Sequence, residues 1–176
     1  MNSHELWRKL PQEKQDLLGE LHAGLCELAE ASPSFDVLTF MVAMNQLPRT
    51  IGDPVSQHTF DLADRLITEE YKELQVGFEK FRCAQSFENM AEMVDGACDL
   101  IYVVLWAMLK FNIPFDACFA EVQRSNMAKL QDDGTVLKDE RGKVQKPAGW
   151  TPPDIHSILL QHFDEATWKG GIRDEA

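Results

Sequence analysis

Leu66-Ile-Thr-Glu-Glu-Tyr-Lys-Glu-Leu74 and, further along, Glu92-Met-Val-Asp-Gly-Ala-Cys-Asp-Leu-Ile-Tyr102 put acids where helix packing asks for apolar side chains. At about 3.6 residues per turn, Phe60, Ala63, Ile67, Leu74, Phe78 and Phe81 form one apolar stripe, and Glu70 stands inside it. Glu73 lies one turn from Glu70. In the second stretch Asp95 and Asp99 are the only charges between Met93 and Leu109, and Glu92 carries their face backwards. An ionised carboxylate in apolar surroundings costs several kcal/mol unless a cation or metal compensates it. Two long acidic helices facing one another therefore predict a hard-metal site in an all-α domain.

The flanking sequence extends this reading. The first acidic helix is expected over about 56–84. Ser86 caps the second, which runs to about 112 and is apolar on almost every side past Met93, a pattern that predicts a central position. Upstream, residues 1–31 are rich in helix formers, with Pro11 suited to a first turn and Leu17, Leu18, Leu21, Leu25 and Leu28 at helical spacing. Ser32-Pro33-Ser34 breaks that helix, and Ser34 is expected to cap the next, over 35–45. Residues 46–54 read as a loop. Downstream, Pro114 precedes a helix over 115–130, and 132–146 suggests two short extended pieces around a turn at 139–142. After a Pro/Gly/Trp loop at 147–153, Asp154 caps a last helix to about 168. The fold expected is all-α, a four- to five-helix bundle-like domain with a small C-terminal β-hairpin. Its parts are an N-terminal helical extension (1–33), the main domain (34–155), and a C-terminal helix and tail (156–176).

Composition limits the function. The chain has 176 residues, 44% of them hydrophobic and 26% charged, and a formal net charge of −12. That charge argues against binding a nucleic-acid backbone, whose affinity comes from Lys and Arg displacing counterions. An anionic substrate would instead need bound divalent cations to reverse the local field. Cys26, Cys83, Cys98 and Cys118 form no CxxC pair and are read as reduced thiols. The N-terminus lacks the pattern of a signal peptide, and the most apolar run, 100–109, is about half the ~20 residues a bilayer crossing needs. A cytoplasmic protein without membrane contact is the expectation.

Glu-x-x-Glu on one helix and Asp-x-x-x-Asp on the next can aim four carboxylates into the space between antiparallel helices. Mg²⁺, with Mn²⁺ as an alternative, takes such oxygen ligands together with water and substrate phosphates. The competing reading has Glu69, Glu73 and Glu92 as solvated acids and Asp95 and Asp99 paired with Arg or Lys. A di-iron bundle would need Glu-x-x-His, and no His follows an acid at that spacing in these segments. Arg124, Asn126 and Lys129 could bind phosphate, or could simply complement a helix end. Among the aromatic residues, Phe40, Tyr102, Trp106 and Trp150 could stack a base or fill the core. There is no Walker loop, Gly-x-Gly-x-x-Gly or Gly-x-Ser-x-Gly.

Glu69-Glu70-Tyr-Lys-Glu73 resembles the Glu-Glu-x-x-Glu motif of the all-α nucleoside triphosphate pyrophosphohydrolases, a superfamily that includes MazG-like proteins, dimeric dUTPases and phosphoribosyl-ATP pyrophosphohydrolase. Asp95-Gly-Ala-Cys-Asp99-Leu-Ile-Tyr-Val-Val is similar to the second acidic helix of the phosphoribosyl-ATP-pyrophosphohydrolase-like branch, and residues 121–130 strengthen the match. The resemblance covers about 35–155. It implies Mg²⁺-dependent cleavage of the α–β phosphate bond of a (deoxy)nucleoside triphosphate, releasing a monophosphate and pyrophosphate. It also implies that Glu70, Glu73 and Asp99 are metal ligands, to which Asp95 is added as the expected fourth, and that Glu69 is a further ligand or the base for water. Arg124, Asn126 and Lys129 fall at the family's phosphate or sugar contacts, and Phe40, Met44 and Gln46 where its base pocket lies. The branch leans towards purines such as dGTP, with dUTP or dCTP as the alternative, and to homo-oligomers, dimers or tetramers. One departure is Gly96, three residues before Asp99, where the common second motif Glu-x-x-Asp has Glu; the missing carboxylate must come from Asp95 or Glu92. That departure and the long N-terminal helix motivate a second hypothesis, a catalytically inactive helical binding or regulatory module.

Overall fold

The computed structural model describes residues 11–17, 32–49, 54–131 and 135–163. The expected N-terminal helix falls partly within these: residues 12–17 are helical, and the rest of 1–31 lies outside the described residues, as does everything beyond 163. Five further helices follow: α1 (Pro33–Ala43), α2 (Gln57–Cys83), α3 (Phe87–Lys110), α4 (Phe115–Met127) and α5 (Ile155–His162). The domain is mostly helical, as the sequence predicts.

Local chemistry sets the helix ends. Ser32, not Ser34, caps α1: its hydroxyl accepts from the Phe35 N–H at 3.1 Å, with Pro33 in the first turn where no N–H is needed. Ser34 is buried inside the helix and its hydroxyl donates to Asp116 at 2.7 Å, tying α1 to α4. Ser56, Ser86 and Asp154 cap α2, α3 and α5 through N–H groups three residues on. Asn45 and Asn112, just past the ends of α1 and α3, adopt the left-handed conformation (φ 56° and 59°) that stops a helix.

α2 and α3 form a long antiparallel hairpin, joined through Ala84 to Ser86, and α1 packs against α3. At the crossing the backbones nearly touch. A Cβ on Gly77 would lie 2.7 Å from the Met93 Cα, and one on Gly96 would lie 3.0 Å from the Leu74 Cα. The core gathers at the other end of the hairpin, where Val37, Leu38, Met41 and Val42 of α1 meet Ala63 of α2 and Leu105, Trp106, Ala107 and Leu109 of α3. Only the last turns of α3, from Leu105 on, are thus central. The stretch past Met93, expected to be central throughout, is exposed at Val94 and Ile101, as are Phe87 at the start of α3 and Phe78 in the predicted apolar stripe of α2.

The predicted hairpin does not form as strands among the described residues. The turn at 139–142 closes with a Gly142 N–H to Asp139 C=O bond of 2.9 Å, and the flanking chain pairs only through isolated antiparallel bridges, Leu130 with Val136 and Lys138 with Val144. The bridging segments are exposed and carry Lys138, Lys143 and Gln145, so no apolar face holds a longer ladder in place.

Candidate active site

Antiparallel pairing of α2 and α3 through Gly77–Met93 and Leu74–Gly96 places Glu70 one turn further along, opposite Asp99. Glu70 is half-buried, and its carboxyl is held above the ordinary carboxylate range, first by desolvation and then by the charges of Glu73, Asp99, Glu69 and Asp95. The other four acids singled out in the sequence therefore all act on Glu70, two of them from the facing helix. Among the described residues no Lys or Arg forms an ion pair with any of them; the three pairs there are Lys80–Glu92, Arg82–Glu79 and Arg124–Glu121. Asp95 and Asp99 are exposed rather than paired.

These carboxylates suit a hard cation in donor type and in uncompensated charge. As the side chains lie, no three His, Cys, Asp or Glu residues among those described converge on a metal-sized position. Beside Glu70, a groove of about 310 Å³ is lined by Glu73 and Asp95 together with Lys72, Lys80 and Glu92, and Gly77 and Gly96 contribute to its wall.

Two features of this groove escaped the sequence reading. Lys72 and Lys80 line the groove beside the carboxylates, and their eight-residue spacing on α2 was the available signal. The spacing Glu-x-x-Asp also exists one turn upstream of Asp99, at Glu92-Met-Val-Asp95, with Glu92 bonded to Lys80. Gly96 has a packing role, because its lack of a side chain lets the Leu74 backbone approach.

The remaining candidates fall in two places. Phe40 packs edge-on against Tyr102, with centroids 5.8 Å apart, and the Gln46 Oε1 accepts from the Trp106 indole N–H at 3.0 Å. Both contacts lie on α3 just beyond Asp99. Arg124, Asn126 and Lys129 sit at the far end of α4. Arg124 donates twice to Glu121 at 2.7 Å, holding that carboxyl down to about 2, and the Lys129 ammonium donates to the Asn126 Oδ1 at 2.7 Å. No hydrogen bond or ion pair joins them to the acidic crossing among the described residues.

A family model for phosphoribosyl-ATP pyrophosphohydrolase matches residues 39–126, half of the chain. The chain belongs to that family. The matched region of this phosphoribosyl-ATP pyrophosphohydrolase family member runs from the middle of α1 to the last turn of α4, so all five acids and both lysines of the groove lie within it. Membership supports a nucleotide pyrophosphohydrolase activity in general, the hydrolysis of a phosphoric anhydride, in a family generally dependent on divalent metal. No curated protein matches the sequence. No single helix among the described residues is long and apolar enough to cross a membrane.

Proposed function

We propose that the protein is a Mg²⁺-dependent nucleoside triphosphate pyrophosphohydrolase that splits the α–β phosphate bond of a (deoxy)nucleotide. One observation carries the reading: Glu70 is desolvated among Glu69, Glu73, Asp95 and Asp99, and among the described residues no Lys or Arg is paired with any of the five. Such a cluster is costly unless its ligand brings positive charge. Glu70, Glu73, Asp95 and Asp99 would hold the metal, with Mn²⁺ as a substitute. Bound there, the cation neutralises the polyphosphate and acidifies a water. Glu69, exposed on the adjoining face of α2, takes the proton as the water oxygen attacks the α-phosphorus. The bond from the α-phosphorus to the bridging oxygen breaks, and pyrophosphate leaves past Lys72 and Lys80. Arg124, Asn126 and Lys129 would approach the substrate from a second subunit of a homo-oligomer.

Mg²⁺-dependent pyrophosphate release from a panel of purine and pyrimidine triphosphates tests the reading, with dGTP as the leading substrate and dUTP and dCTP as the rivals. Release from at least one is expected. Folded protein that releases none would leave an inactive binding module of the same fold.

A further inference from the structure

The tip of α1 meets α3 one turn beyond the acidic crossing. α1 runs back along α3: Ser34, near its start, bonds Asp116 past the end of α3, whereas Phe40 reaches Tyr102. The chain then reverses at Met44 and Asn45, and Gln46 lands on Trp106. On α3, Tyr102 and Trp106 follow Asp99 by three and seven residues. One helix face therefore carries all three, over about 10 Å at about 1.5 Å per residue. A nucleotide whose phosphates lie at the carboxylates extends along that face onto Phe40, Met44 and Tyr102. Met44 and Tyr102 are open to solvent, which makes an apolar ledge with Gln46 at one edge.

That edge has a fixed polarity. An indole N–H only donates, so the Gln46 amide must turn its oxygen to Trp106, and Trp106 is itself buried. The exposed Gln46 is left presenting its NH₂, two donors that no acceptor takes among the described residues. We propose that Gln46, oriented by Trp106, selects bases bearing a carbonyl oxygen where adenine and cytosine bear an amine: guanine, hypoxanthine, uracil and thymine. The proposal rests on the nucleotide reading above. A facing amine would leave two donors opposed and one of them desolvated, the kind of mismatch by which hydrogen-bonding sites reject analogues.

The test compares kcat/KM for dITP against dATP and for dUTP against dCTP. A preference of about tenfold or more for the carbonyl base is expected in each pair turned over. Gln46→Glu keeps one oxygen for the indole and turns the other outward as an acceptor, so it should lower or invert the ratio; Gln46→Leu should erase it. A ratio between two substrates is unaffected by a smaller folded fraction, which separates recognition from stability. The Trp106 indole proton resonance should shift in Gln46→Leu, as loss of the hydrogen bond requires. Ratios within twofold of unity in the wild type, or unchanged in Gln46→Glu, overturn the assignment. If no triphosphate is hydrolysed, the pyrophosphohydrolase reading fails separately. The Gln46 assignment is then decided by calorimetric Kd values for dIMP and dAMP, and equal or undetectable binding overturns it.

Discussion

Glu70 is a residue whose chemistry works against the stability of the metal-free protein. Burial and four neighbouring carboxylates raise its folded pKa above the ordinary 4.5, so ionising it is harder folded than unfolded. Its contribution is fully present below the unfolded value and is lost as pH rises through the raised folded value, which leaves a penalty at neutral pH. Glu70→Gln should therefore raise the Tm of the metal-free protein while abolishing turnover. Added Mg²⁺ should stabilise the wild type, by about 2.7 kcal/mol at a hundredfold excess over Kd, and the Gln variant far less. A Glu70→Gln protein that melts below wild type without metal would show that this carboxylate is satisfied in some other way. In the same sense, Glu70→Ala or Asp99→Ala should lose pyrophosphate release while keeping a near-native helical CD spectrum. The anomaly at Glu70 was legible in the sequence because it depends only on register within one helix. The bond between Lys80 and Glu92 was not, because it depends on where two helices cross.

At the scale of elements, that crossing is set by Gly77 and Gly96, which bring α2 and α3 into backbone contact. Helix starts and two of the caps were readable, since Ser86 and Asp154 precede strong helical patterns, whereas the cap expected at Ser34 falls to Ser32. The role of Gly96 was hidden: as a residue it looks like a missing ligand, and only its partner Leu74 reveals a packing contact. Gly96→Glu, which would rebuild Glu-x-x-Asp against Asp99, should thus fail as a repair. Even its Cβ would sit 3.0 Å from the Leu74 Cα and N, so a cost of roughly 1–3 kcal/mol in chemical denaturation is expected, with activity falling rather than rising. The 147–154 strap is held on α4 by another group of contacts. Ser125 donates to the Thr151 C=O at 3.0 Å, the Trp150 indole donates to the Ser125 C=O at 2.7 Å, and the Asp154 N–H donates to Glu121 at 2.9 Å. Glu121 is depressed to about 2, chiefly by Arg124, so its stabilisation is present above the ordinary 4.5 and is lost as pH falls towards 2. Wild-type Tm should drop across that window more steeply than that of Glu121→Gln; parallel curves would mean the strap does not depend on this charge.

Over the whole molecule, burial is uneven in a way that composition does not reveal. The core sits where α1 covers one end of the α2–α3 hairpin, while the other end carries Tyr71, Val76, Phe78, Phe87, Val94 and Ile101 into solvent, with Phe78 at 56% and Phe87 at 75% exposure. Apolar residues on both helices of a projecting hairpin are costly in a monomer and are ordinary at a subunit interface. Arg124, Asn126 and Lys129 lie apart from the acids they would serve, and a second copy docked along the hairpin would bring another α4 within the assembly. The family resemblance implied assembly but could not say through which face, because every apolar stripe looks alike until the core has claimed its share. Sedimentation should give a dimer or tetramer at micromolar concentration, and Phe78→Glu with Ile101→Glu should shift it to monomer. If the acidic site is completed across subunits, that variant should lose pyrophosphate release in step with dissociation and regain part of it at high protein concentration. A monomeric wild type, or a dissociated variant with full activity, would mean that each chain completes its site alone.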